Sequence, residues 1–132
     1  AVNGVLARLV SVSDGQISIL LPIDLNTTVG ATFQVITSAG TSEPVAARVV
    51  PVAPGIFFNT STNEGAILVA NTGLLTSQRP VEPGGFLEIY TTGLGEVNAD
   101  GNTVARPEVT IGGIPAPVLF SGRNPLVQGL YQ

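Results

Sequence analysis

Apolar and polar positions change over in short runs, with no sustained 3.6-residue apolar period anywhere. Val5 to Val12 is β-branched and apolar and ends at Asp14-Gly15, a turn signal. Gln16 to Leu21 alternates until Pro22, and Thr32 to Thr37 alternates until the polar Ser38-Ala39-Gly40-Thr41. Val45 to Val50 forms a further strand pattern. Beyond it, Ile56-Phe57-Phe58, Ala66 to Ala70, Phe86 to Thr92, Glu108 to Ile111 and Val118-Leu119-Phe120 have the same character. Asn98 to Asn102 reads as a turn, and Gly112-Gly113 as the tip of a hairpin. Strands separated by turn signals every roughly 8 to 12 residues predict an all-β chain, a sandwich or a barrel.

Pro51-Val52-Ala53-Pro54-Gly55 is stiff and turn-rich, and reads as a linker or domain corner. It predicts two small tandem units, residues 1–52 and 53–132. An internal echo agrees with two units. Val2-Asn3-Gly4-Val5-Leu6-Ala7-Arg8-Leu9-Val10 lines up with Ile111-Gly112-Gly113-Ile114-Pro115-Ala116-Pro117-Val118-Leu119, 109 positions later, each as strand, tight turn, strand. Two unrelated hairpins with similar turn chemistry would produce the same echo.

Composition narrows the chemistry. The chain has no His, Cys, Met or Trp, and its basic residues are the isolated arginines Arg8, Arg48, Arg79, Arg106 and Arg123. A zinc site of the usual kind, a thiol nucleophile and a Ser-His-Asp triad are excluded. So are a Schiff-base lysine and a phosphate-loop lysine. A net charge of −4 without basic clusters argues against nucleic acid and anionic membranes. No apolar run approaches the roughly 20 residues of a spanning helix; the longest, Ile17 to Ile23, is interrupted by Ser18 and Pro22. No cofactor is expected.

Few residues offer themselves as sites. Asn98, Asp100 and Asn102 place oxygens two residues apart, as in a calcium loop. The pattern lacks a Gly after the third ligand and has Val109 where the twelfth-position Glu belongs. An Asp-Gly turn is therefore the first reading and calcium the alternative. Asn26-Thr27-Thr28 and Asn59-Thr60-Ser61 match the glycosylation acceptor and mark stretches expected to be exposed. Gly93-Leu94-Gly95 lacks the third Gly and the following helix of a nucleotide loop, and reads as a turn. Glu82, Glu88 and Glu96 are near in sequence, but Glu88 alternates with Leu87 and Ile89 as the solvent face of a strand does, so no catalytic residue is expected. Phe57, Phe58, Phe86, Tyr90 and Phe120 are read mainly as core, with a sugar-stacking platform as the alternative.

Six segments, taken in order, carry a resemblance. They are Val2-Asn3-Gly4-Val5; Asp14 to Ser18 with Leu21-Pro22; Ala53-Pro54-Gly55-Ile56-Phe57; Tyr90 to Gly95; Val109 to Ala116; and Gly129-Leu130-Tyr131-Gln132. Together they resemble the uncharacterised C-terminal domain family of large secreted proteins in Solibacter-type soil bacteria. The family has no established activity. The resemblance implies a cell-surface or extracellular setting and immunoglobulin-like β-sandwich modules. Family members begin before Val-Asn-Gly and continue past Tyr-Gln. The resemblance therefore implies a first unit short of N-terminal strands and a second short of C-terminal ones. Val2, Val5, Leu130 and Tyr131 then become candidate assembly edges, completed by strands from neighbouring chains.

The expected function is structural and non-enzymatic: a subunit or repeat of a bacterial surface filament or large surface protein, assembled by strand pairing. The expected partners are copies of the chain or adjacent domains of the same protein. The alternative is an adhesive or carbohydrate-binding module, with glycans as partners.

Overall fold

The computed structural model describes residues 1–22, 24–26 and 28–132. The described residues form strands, turns and bends and no helix. They divide into two compact units, Ala1–Pro51 and Val52–Gln132.

The described residues of the first unit hold six strands. β1 (Arg8–Ser13) and β2 (Gln16–Leu20) form a hairpin around Asp14-Gly15, where Gly15 takes a φ of 76°. Leu9 pairs with Ile19 and Val12 with Ile17, while a bulge absorbs Val10. The bulge sets the phase. Leu9 and Val12 are three apart and would otherwise lie on opposite faces. With Val10 taken out of register, Leu9, Val12, Ile17 and Ile19 share one face. Ser11, Ser13, Gln16 and Ser18 share the other. The hairpin is thus amphipathic, yet Leu9, Val12 and Ile17 on its apolar face are all exposed.

β3 (Ala31–Phe33) pairs with β6 (Val45–Ala47), and β4 (Ile36–Thr37) with β5 (Gly40–Thr41). The expected single strand Thr32 to Thr37 is broken because Val35 N–H donates to the Ser42 hydroxyl at 3.0 Å instead of to a ladder carbonyl. The free edge of β3 is taken by the first residues of the chain. Gln34 N–H donates to Ala1 O at 3.0 Å, and Asn3 N–H to Thr32 O at 2.8 Å. Val2 beside them is 1% exposed, and with Ala31 it makes up the buried apolar centre of this unit.

The second unit is organised by three chain segments that exchange partners. β7 (Gly55–Ile56) and β8 (Phe58–Asn59) form the first segment, β9 (Glu64–Gly65) and β10 (Ile67–Val69) the second, and β11 (Leu87–Ile89) and β12 (Thr91–Thr92) the third. β8 pairs with β9, β10 with β11, and β12 with β7. The exchange occurs at Phe57, Ala66 and Tyr90, whose main chains close a ring of hydrogen bonds. Phe57 N–H donates to Tyr90 O (3.0 Å), Tyr90 N–H to Ala66 O (2.9 Å), and Ala66 N–H to Phe57 O (2.7 Å). Each segment thereby keeps its main-chain groups bonded while serving two neighbours.

From β12 a lateral run continues. Thr91 and Tyr131 exchange N–H···O bonds of 2.9 and 2.8 Å, and Gly122 and Gln132 exchange two of 2.9 Å. Arg123 N–H then donates to Gly101 O at 2.8 Å, and Asn98 N–H to Asn102 O at 2.8 Å. The last hairpin, β13 (Val109–Ile111) with β14 (Ile114–Ala116), turns at Gly112-Gly113, both at positive φ. Val118-Leu119-Phe120, expected as a strand, is not one. The two-residue turn starts the return strand at Ile114, and Pro117 then has no N–H with which to extend the ladder.

Candidate functional site

A groove of about 920 Å3 opens in the second unit. Ile56, Phe86, Ile89 and Leu94 line one part of it, and Val109 and Phe120 another. Local chain geometry explains its floor. Leu87, Ile89 and Thr91 alternate along one segment and so face one way. Gly93 and Gly95 take φ values of 72° and 88° and turn the chain so that Leu94 is buried between them. A Cβ at Gly93 would overlap Ala53 O, so the close approach requires glycine. Tyr131 packs beside this turn, its hydroxyl donating to Gly95 O at 2.8 Å.

One polar atom in the groove stands out. Thr91 is 9% exposed and lines the groove, and its Oγ1 is the one buried side-chain oxygen without a hydrogen-bond partner among the described residues. An unbonded buried hydroxyl is costly, about 1 to 3 kcal/mol. Nearby Ser121 has no such deficit, because Thr103 Oγ1 donates to its Oγ at 2.9 Å. Strand periodicity places Thr91 on the floor, but no sequence signal marks its hydroxyl as unpaired.

The sequence candidates fall as follows. Asn98 Oδ1 accepts the N–H groups of Asp100 and Asn102, both at 3.0 Å. The first of the three candidate calcium oxygens is thus engaged in closing the turn. Among the described residues no three His, Cys, Asp or Glu side chains group together as metal ligands do. Asn26 Oδ1 accepts from Thr28 N–H at 2.9 Å, and Asn59 Oδ1 from Ser61 N–H at 2.9 Å. Both asparagines are exposed. Thr27 of the first acceptor, and Ile23 at the end of the longest apolar run, lie outside the described residues.

The assembly-edge candidates lie as follows. Val2 is buried, and the main chain around it is bonded to the β3 segment. Tyr131 is bonded to Thr91 while its neighbour Gln132 is bonded to Gly122, so this segment lies inside the lateral run. Leu130 N–H donates to Val127 O and its carbonyl accepts from Asn124 N–H. Val5 N–H is taken by Val2 O at 3.0 Å, although its side chain is exposed. At these four positions main-chain pairing within each unit uses the groups that a docking strand would need.

Glu64 lies in a second, smaller recess of about 520 Å3, with Phe57, Phe58 and Leu75. Hydroxyl hydrogen bonds from Ser77 and Thr62 hold its carboxyl below the ordinary glutamate value. Glu88 Oε1 accepts Asn71 N–H at 3.2 Å, closing a turn. No family model, curated protein or solved structure matches the chain.

Proposed function

We propose that the chain is a non-enzymatic structural module of the cell exterior, a subunit or repeat of a surface filament or large surface protein. Apolar surface left uncovered carries this reading. Val2, Ala31 and Leu94 are the buried hydrophobic residues, whereas 25 large apolar side chains are exposed among the described residues. Monomeric proteins keep contiguous apolar patches small, and larger ones mark interaction surfaces. Each named strand has one named strand partner, so the sheets are two-stranded and offer faces to further layers, while residues 1–3 lie along the second edge of β3 and Tyr131 along that of β12. An immunoglobulin-like sandwich is the architecture such layers would complete, in line with the family resemblance of the six ordered segments. With main-chain groups at Val2, Val5, Leu130 and Tyr131 already bonded, the proposed joining surface is exposed apolar side chains, those of the β1–β2 face among them.

A glycan-binding module is the second reading, supported by the exposed rings of Phe86 and Phe120 on one groove. Electron microscopy of native material, beside light scattering of the recombinant chain, tests the first reading. Regular fibres and concentration-dependent growth are expected. Monomers at every concentration, with binding in a glycan array, would replace it with the second.

A further inference from the structure

We infer that the outer edge of β11 takes up an extended strand of another polypeptide, running antiparallel and pairing at Leu87 and Ile89. This goes beyond the structural reading above and stands without it, because main-chain geometry carries it. β10 and β11 are joined through alternate residues. Ala70 N–H donates to Phe86 O at 3.0 Å, and Tyr90 N–H to Ala66 O at 2.9 Å. Phe86, Glu88 and Tyr90 therefore turn their main-chain groups toward β10, and Leu87, Ile89 and Thr91 turn theirs to the opposite edge. Thr91 is served there by Tyr131, through N–H···O bonds of 2.9 and 2.8 Å. Among the described residues nothing pairs with Leu87 or Ile89 on that edge. Both residues are half-buried, where main-chain groups are expected to be bonded. One rung of the edge is thus made, and the next two are open.

The register names the partner. A strand that continues in the sense of Tyr131 meets Ile89 and then Leu87 with residues two apart. Cross-strand partners place their side chains on the same face. The residues opposite Ile89 and Leu87 therefore point into the groove that these two line together with Ile111 and Phe120. The residue between them points away. Charge contributes little to the choice, because Glu88, Glu108 and Arg106 all border the groove and Glu88 Oε1 already accepts Asn71 N–H. The partner is accordingly a strand with apolar side chains at alternate positions and polar ones between. Main-chain bonds hold it, and the groove selects its side chains, as in strand addition to an open sheet edge.

Titration of the isotopically labelled full chain with the acetylated, amidated peptide Lys-Thr-Ile-Thr-Ile-Thr-Lys, followed by NMR, tests this. Saturable shifts are expected at Leu87 and Ile89. Exchange of their two amides should slow at least about tenfold at saturation, while the Glu88 amide, already turned to β10, changes little. N-methylation of both peptide isoleucines removes the donors that face β11 and is expected to weaken binding at least about tenfold, the loss of about one net hydrogen bond or more. N-methylation of the central threonine, whose N–H faces outward, should change affinity less than about twofold. Equal weakening by the two modifications, or weakening by the threonine alone, overturns the pairing. So does protection that appears elsewhere and spares Leu87 and Ile89, or a peptide that does not bind at millimolar concentration. None of these results bears on whether the chain forms fibres, so the structural reading is judged separately.

Discussion

Two turns of the same chemistry meet opposite fates. Asn3-Gly4 in the first unit and Gly112-Gly113 in the second each place both central residues at positive φ: 49° and 79° in one, 59° and 82° in the other. That backbone is the mirror-image turn that suits the twist of paired strands. Around Asn3-Gly4, Val2 is buried, and the Asn3 side chain accepts Thr32 N–H at 2.8 Å. The matching Ile111 and Ile114 stay exposed, Ile114 at 72%. Local sterics set both turns identically, and only the first gained a partner strand within its own unit. The echo between the two segments thus extends to backbone conformation, while burial belongs to one copy.

This contrast can be broken or sharpened by substitution. The largest effect is expected where the second unit is tied, which is at Gly93 and away from its hairpin. Gly93→Ala combines a left-handed φ with overlap on Ala53 O and is expected to cost about 3 kcal/mol or more. Both tyrosines, Tyr90 and Tyr131, lie in the second unit, so tyrosine fluorescence during urea unfolding reads this loss directly. A change under about 1 kcal/mol would mean that the chain accommodates the added methyl.

Next come the paired positions of the echo. Val2→Ala is expected to destabilise the first unit by about 2 kcal/mol, and Ile114→Ala to cost under about 0.5 kcal/mol, because only the first removes buried carbon. Amide exchange at Asn3 and Gln34 follows the first, and tyrosine fluorescence the second. Equal losses would erase the distinction between a docked and an open turn.

Gly4→Ala and Gly113→Ala should then agree. Neither added methyl meets an atom within 4 Å, so each costs only the left-handed backbone penalty, about 1 to 2 kcal/mol. Unequal values would show that the surroundings enter even there.

The smallest effect concerns pH. The Glu64 carboxyl is held below its ordinary value by Ser77 and Thr62. Its contribution to the second unit is therefore complete above the unfolded-state value near 4.5 and is lost as pH falls through the lower folded-state value. Glu64→Gln should flatten the acid limb of the unfolding midpoint slightly while leaving neutral pH almost unchanged.

Much of the strand pattern was legible because it is local. Asp14-Gly15 and Gly112-Gly113 are turn signals, and both carry positive φ at glycine. β2 ends where Pro22 approaches, and β11 and β12 fall within Phe86 to Thr92. The groove was less legible. Alternation places Leu87, Ile89 and Thr91 on one face, but nothing in the pattern states whether that face is covered. Three features depend on residues distant in sequence and had no signal: the partner exchange at Phe57, Ala66 and Tyr90, the unpaired Thr91 hydroxyl, and the lateral run through Tyr131. Val118 to Phe120 misled for a related reason. Their composition suits a strand, but hairpin register and Pro117 decide otherwise.

By itself, then, the sequence determined the all-β class, the turn positions and the absence of His- and Cys-based chemistry. These follow from φ preferences, period-two alternation and an inventory of side chains, all properties of neighbouring residues. Tertiary structure alone decided that Val2 is buried while Leu9 and Val12 are exposed, and that Tyr131 is bonded on the inside of its unit. It also decided that an apolar groove remains open over Thr91. A strand pattern specifies two faces and two edges, and which of them find a partner depends on chain segments many residues away.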